Sequence, residues 1–211
     1  MKGGAFLYEK TLAKDVFVPE EFNEEQLMIK DMIIDFINQE VTPNLERLDL
    51  MTDKSLMPSL LKKSGELGML GVNISEEFGG MDFDMVTTLM FGEATAYGHS
   101  FATAIGAHTS IGSLPIVYYG NEEQKSKYLP GLANGELMAS YCLTEPDAGS
   151  DANSGKTKAV LNEAGTHYII NGQKMWITNG GFADIFIVFA KIDDDKNLSA
   201  FIIEKNFGGI T

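Results

Sequence analysis

Apolar positions in the first two thirds of the chain recur with helical spacing, and the residues between them mark where each run starts and stops. Asn23 is an N-cap candidate, with Glu24 and Glu25 in the first turn, where the helix dipole favours acidic groups. Leu27, Ile34, Ile37 and Val41 keep one face, and Thr42-Pro43 is expected to end that helix. A second helix fits Met57 to Leu67, stopped by Gly68, and Gly79-Gly80 marks a loop. Asp84 is placed to cap a third helix toward Tyr97. Ser100 is placed to cap a fourth reaching about Tyr118, which Pro115 should kink or end early. Asn121 to Gln124, "NEEQ", has the capping-box pattern and opens a fifth.

After Gly135 the period becomes that of strands. Leu137 to Leu143 is an apolar strand-like run. "THYIINGQKMWIT" suggests a hairpin turned at Asn171-Gly172, with Trp176 on its second strand. "DIFIVFAKI" is a near-continuous apolar strand, "DDDKN" turns it, and "LSAFIIE" follows. The expected architecture is α+β: an N-terminal extension (1–21), an all-helical domain (22–136) and a truncated antiparallel β domain (137–211).

Composition narrows the function. The chain has 211 residues, 44% of them hydrophobic, enough for a real core. Cys142 stands alone, so no internal disulfide asks for an oxidising compartment. The N-terminus shows neither a secretory signal nor a transit-peptide pattern. The longest run free of Asp, Glu, Lys and Arg, Ala94 to Asn121, is interrupted by Gly, His and Pro; a buried helical pair fits it better than a membrane span. Net charge is −14 and the sequence pI about 4.5. Such a field does not attract nucleic acid or anionic membranes. Arg47 is the only arginine, so an anionic cofactor would have to be held by backbone N–H groups and helix ends.

Two stretches carry candidate chemistry. In "YCLTEPDAGSD", Tyr141 to Asp151, a strand breaks into a turn with two hydroxyls, a Gly and three carboxylates. Thr144 and Ser150 offer hydroxyls, and Gly149 lets a backbone or ligand come close. An ordinary strand-ending turn has the same composition. In "KMWITNGG", Lys174 to Gly181, the single Trp lies beside Thr178 and a Gly-rich turn. A core Trp in a hairpin explains this, and so does a wall for a planar heteroaromatic ligand.

Taken in this order and behind a helical region, the two stretches resemble the acyl-CoA dehydrogenase family of flavoproteins. The ending, "ADIFIVFAKI…LSAFIIEKNFGGIT", is most similar to the very-long-chain branch and its bacterial relatives. The resemblance implies a helical domain, a middle β domain and a C-terminal four-helix bundle, the last absent from this chain. It implies FAD as cofactor, with Tyr141, Leu143, Thr144, Gly149 and Ser150 in the first flavin segment. Leu143 and Thr144 stand at the pyrimidine end of the ring, and Ser150 also touches the acyl-CoA. In the second segment Trp176 packs on the flavin, Ile177 follows, and Thr178 is hydrogen-bonded near N5. The implied reaction is α,β-dehydrogenation of a fatty acyl-CoA in β-oxidation, with an electron-transfer flavoprotein as acceptor. A homo-oligomer is implied for the full-length protein, in the bacterial cytoplasm or, in a eukaryote, the mitochondrial matrix.

Two departures from the family pattern matter. Asp147 stands where members carry a small residue and is expected to face solvent. The catalytic Glu belongs to the absent bundle, and neither Glu93 nor Glu145 is assigned its role. Ala102 and Gly106, four apart on one helix face, match the floor of the acyl cavity; small residues there imply a long acyl chain. Close helix packing is the alternative use of a mid-helix Gly. Two other readings of the whole chain remain. A non-catalytic binding or assembly module on this fold would lack flavin, and an acyl-CoA oxidase-like enzyme would consume oxygen.

Overall fold

A computed structural model describes residues 4–211, so the first three residues of the N-terminal extension lie outside it. Helices fill the chain as far as Asn134 and strands begin at Ala139. The helices are α1 (Glu24–Phe36), α2 (Leu45–Asp49), α3 (Leu56–Glu66), α4 (Met85–Thr95), α5 (Ser100–Ala107), α6 (Leu114–Tyr119) and α7 (Glu122–Asn134). No helix among the described residues is long and apolar enough to cross a membrane.

The caps explain most helix ends. Asn23, Asp84 and Asn121 each accept a hydrogen bond from the amide three residues on, at 2.7–2.9 Å. Gln26 and Gln124 return bonds to the Asn23 and Asn121 amides, closing two capping boxes. Gly68 and Gly135 end α3 and α7 with φ of 77° and 80°, a conformation that costs Gly nothing.

Three helical expectations are corrected. Leu27 is exposed; the buried positions of α1 are Gln26, Ile33 and Phe36, one residue out of phase. Ile37–Val41 then forms a wider, π-type turn, and Ile37 and Val41 are buried as expected. Thr42-Pro43 does not end the run. Pro43 opens a tight turn, where its missing N–H is not needed, and α2 continues to Asp49. Ser100 is no cap. His99, at φ 52°, makes the corner, and the Ser100 hydroxyl donates to Asp49 at 2.9 Å. A second π-type turn, His108–Gly112, precedes α6, which carries Pro115 in its first turn.

The sheet comprises β1 (Ala139–Cys142), β2 (Lys158–Leu161), β3 (Tyr168–Asn171), β4 (Ile185–Ile192) and β5 (Ser199–Glu204). It is mixed rather than antiparallel. β1 and β2 both run parallel to β4, while β3 pairs with β2 and β5 with β4 antiparallel. β1 and β2 follow one another along the same edge of β4, whose Ile185 and Lys191 amides donate to Met138 and Thr157. β4 is therefore the hub, and its nearly unbroken apolar sequence suits burial on both faces.

The expected hairpin at Asn171-Gly172 is also corrected. β3 pairs with β2 across the 162–167 turn, where the Asn162 carboxamide accepts from the Thr166 and His167 amides. Neither Asn171 nor Gly172 has positive φ. Gly172 is needed for close approach instead: a Cβ there would lie 2.2 Å from the Thr157 hydroxyl.

One core cluster lies among the helices, around Ile33, Ile37, Leu61, Phe101 and Ile105. A second joins α7 (Tyr128, Leu129, Leu132) to the sheet face of Ala139, Ile185 and Ile187. A third, smaller cluster occupies the other sheet face, around Cys142, Ala183 and Phe186. Helical and sheet parts thus share one apolar boundary.

Candidate functional site

The first segment leaves the sheet at the end of β1. Tyr141 is half-buried, its ring 4.9 Å from that of Phe189. Leu143 and Thr144 follow, half-buried, and Glu145 closes a small turn by exchanging backbone hydrogen bonds with Ala148. Gly149 and Ser150 are exposed, and a Cβ at Gly149 would meet nothing within 4 Å. Asp147 points to solvent, paired at 2.6 Å with the exposed Lys156.

The second segment is not a strand. Trp176 adopts φ 61° and is 84% exposed, so it is not a core Trp. Left-handed backbone at a bulky residue is costly and points to a constrained site. Ile177 packs into the third core cluster and Thr178 is half-buried. Asn179, also left-handed at φ 65°, is buried. Its carboxamide donates to Ala104 O of α5 at 2.9 Å and to Ala139 O of β1 at 3.3 Å.

These bonds join three pieces of chain that are distant in sequence. The Met175 amide donates to Thr144 O at 2.9 Å, tying the second segment to the first. Asn179 ties it to α5, which carries Ala102 and Gly106. Both are half-buried, and a Cβ at Gly106 would meet nothing within 4 Å. Gly106 therefore does not serve close helix packing here; it leaves space.

A buried ion pair lies between the two segments. Lys174 Nζ is 2.7 Å from Glu145 Oε1, with side chains only 11% and 5% exposed. The Lys156 and Thr157 amides also donate to that carboxylate, and Lys174 donates to Leu143 O at 3.2 Å. Burial opposes ionisation of Glu145, but Lys174 and the donors of residues 156 and 157 overcome it and hold the carboxyl at about 2. Removing either charge would strand the other, a loss of about 3–5 kcal/mol. Lys174, Glu145 and Asn179 were not among the residues expected to form the site. The only sign of them in the sequence is their place inside the two motifs.

The hydrogen bonds of these segments run through Lys174, Met175 and Asn179. The hydroxyls of Thr144, Ser150 and Thr178 are left unengaged among the described residues. Among those residues no group of three or more His, Cys, Asp or Glu is placed to hold a metal. The site offers a flat exposed indole, free hydroxyls and an open backbone turn. That donor set suits a planar, hydrogen-bonding ligand.

Comparison with known proteins decides the family. Residues 23–136 match the acyl-CoA dehydrogenase N-terminal domain and residues 140–211 its middle domain. The chain belongs to the acyl-CoA dehydrogenase family. A probable acyl-CoA dehydrogenase of Bacillus subtilis (strain 168) is 50% identical over 210 residues, all of this chain and 35% of that protein. Relatives named for opposite chain lengths also match. The short-chain-specific acyl-CoA dehydrogenase of Clostridium acetobutylicum is 41% identical over 197 residues, 90% of this chain and 51% of its own. The human very long-chain specific enzyme is 44% identical over 156 residues, 69% of this chain and 24% of its own. The crystal structure of a Bacillus anthracis acyl-CoA dehydrogenase complexed with FAD superimposes with TM-score 0.92 at 51% identity, covering 97% of this chain and 35% of that one. The chain thus spans about a third to a half of the length of the first relatives it matches.

Family membership accounts for the order of the pieces: a helical domain, then a sheet domain that carries one motif at the end of β1 and the other between β3 and β4. Both motifs lie within residues 140–211, the segment matched to the middle domain.

Proposed function

We propose that this chain forms the flavin-facing wall and part of the acyl channel of an FAD-dependent acyl-CoA dehydrogenase. The observation that carries the reading is the Asn179 bridge, which holds the Trp176–Thr178 segment against both β1 and the helix bearing Gly106. The residues present fit the cofactor. Trp176 offers its exposed indole face to a planar ring, Thr178 and Thr144 offer hydroxyl donors along that ring's edge, and the open turn at Gly149 admits close approach. Tyr141, Leu143 and Ile177 fix the strand and loop that carry these groups. When bound, FAD would supply the two-electron acceptor for the hydrogen leaving the substrate's β-carbon.

The protein's own part is to bind, orient and shape. Donors fixed in advance cost no reorganisation when charge develops. Ser150, exposed beside Gly149, would touch the acyl-CoA as well. The acyl tail would run over Ala102 and Gly106, whose small size favours long-chain substrates.

The same reading puts the α-proton base outside these 211 residues. Glu145 is buried, fully engaged and held at about 2, too acidic to take a proton near neutral pH. Glu93 is exposed on α4 beside Lys30. The chain would then work with a further domain, as a homo-oligomer passing electrons to an electron-transfer flavoprotein in the bacterial cytoplasm, or in the mitochondrial matrix of a eukaryote.

The test is replacement of Thr178 and of Trp176 by Ala in the enzyme containing this chain. Each should lower flavin retention or slow reduction by acyl-CoA; one lost neutral hydrogen bond is worth about 0.5–1.5 kcal/mol. Unchanged flavin content and unchanged reduction rate in both variants would overturn the assignment.

A further inference from the structure

Lys174 and Glu145 are the most deeply buried ion pair among the described residues, and they sit at the join of the two segments. Two consecutive residues, Lys174 and Met175, reach three consecutive residues of the first segment. Lys174 Nζ donates to Leu143 O and to the Glu145 carboxylate, and the Met175 amide donates to Thr144 O between them. The next residue is Trp176, whose left-handed backbone is imposed from outside, because an indole 84% exposed gains no packing that would hold it. Its flanks supply the constraint: Asn179 on one side, residues 174 and 175 on the other.

We infer that the Glu145–Lys174 pair is a positioning clasp. It sets the register of Trp176–Thr178 against Leu143–Thr144, and so the shape of the wall offered to the flavin. This rests on the flavin reading above only for the identity of the ligand. Glu145 and Lys174 touch no reacting atom in this scheme; they act through the residues they place. Glu145 is suited to the role because its carboxylate is also anchored by the amides of Lys156 and Thr157, at the start of β2. The clasp therefore fastens both motif segments to the sheet.

A buried ion pair that merely fills space is the competing explanation, and a double variant separates the two. Lys174→Met leaves the Glu145 charge unpaired. Lys174→Met combined with Glu145→Gln leaves no buried charge and keeps a carboxamide acceptor for one of the Lys156 and Thr157 amides. The measurements are made on the 211-residue chain. They are the urea midpoint, amide hydrogen exchange at Met175 with the Ile187 amide of β4 as internal reference, and FAD titration read by quenching of the single Trp. In Lys174→Met the midpoint falls and Met175 exchange, relative to Ile187, quickens at least tenfold. In the double variant the midpoint recovers in part while Met175 stays at least tenfold fast, and the apparent Kd for FAD is at least tenfold weaker than in the parent chain. Recovery of Met175 protection together with the midpoint would overturn the clasp. If Met175 behaves as expected but Trp176→Ala and Thr178→Ala leave flavin content and reduction unchanged in the enzyme containing this chain, the clasp stands and the flavin reading falls.

Discussion

Replacing His108 by Gln should remove a pH-dependent part of the chain's stability. His108 is fully buried where the turn after α5 meets α7 and β1. The Ala139 amide donates to its Nδ1 at 3.1 Å, so Nε2 carries the proton and donates to Leu132 O at 2.9 Å. The ring is neutral and spans the boundary between helices and sheet. Burial pushes its pKa down to about 4, and the Leu132 carbonyl offsets only part of that. In the unfolded chain an imidazole titrates at about 6.5. Between these values the unfolded state holds the extra proton. Stability from this group is therefore complete above about pH 6.5 and declines as pH falls toward 4. From pH 7 to pH 5 the loss is about 2 kcal/mol. Gln presents an acceptor and a donor at similar spacing and does not titrate. Urea denaturation of both proteins at pH 7, 6 and 5 keeps clear of the sequence pI of about 4.5, where an uncharged chain loses solubility. The carboxylates, Glu145 included, titrate alike in both proteins and cancel in the difference. The advantage of His108 over Gln should shrink by about 2 kcal/mol between pH 7 and pH 5. A difference that stays constant would refute the reasoning. Should the variant fail to fold, the imidazole resonances of the parent chain report the same pKa by NMR titration.

Gly106→Glu should shift acyl-CoA preference toward shorter chains, because its side chain would enter space that is open here; an unchanged chain-length profile would remove Gly106 from the cavity. Gly106→Ala should stabilise the chain by about 0.5–1 kcal/mol in thermal or urea unfolding, whereas a helix-contact Gly would be destabilised by the added methyl. The 211-residue chain by itself should not dehydrogenate a long-chain acyl-CoA with added FAD and an artificial acceptor. Turnover that survives removal of contaminating host enzyme would mean that a base lies within it, with Glu93 and Glu145 the first two to replace.

Local chemistry was legible in the sequence because each signal involves neighbours in the chain. Asn23, Asp84 and Asn121 start helices with bonds to amides three residues away, and Gly68 and Gly135 end them by a backbone conformation of their own. The runs that became β4 and β5 were equally plain; a strand covered on both faces, as β4 is, must be apolar along its length. The motif residues were legible too, but not their conformations. Trp176 looked like a strand residue until its flanks were seen to hold it in a left-handed turn. β3 looked set to fold forward on Asn171-Gly172 and instead pairs back onto β2. A widened turn of the kind at Ile37–Val41 shifts a helix's phase without any marker residue. The clasp and the bridge are furthest from sequence reasoning. Lys174 finds Glu145 across 29 positions, and Asn179 finds Ala104 across 75. A buried polar atom must be satisfied, but its sequence neighbours do not say by whom; that partner is chosen only when the core closes and water is excluded.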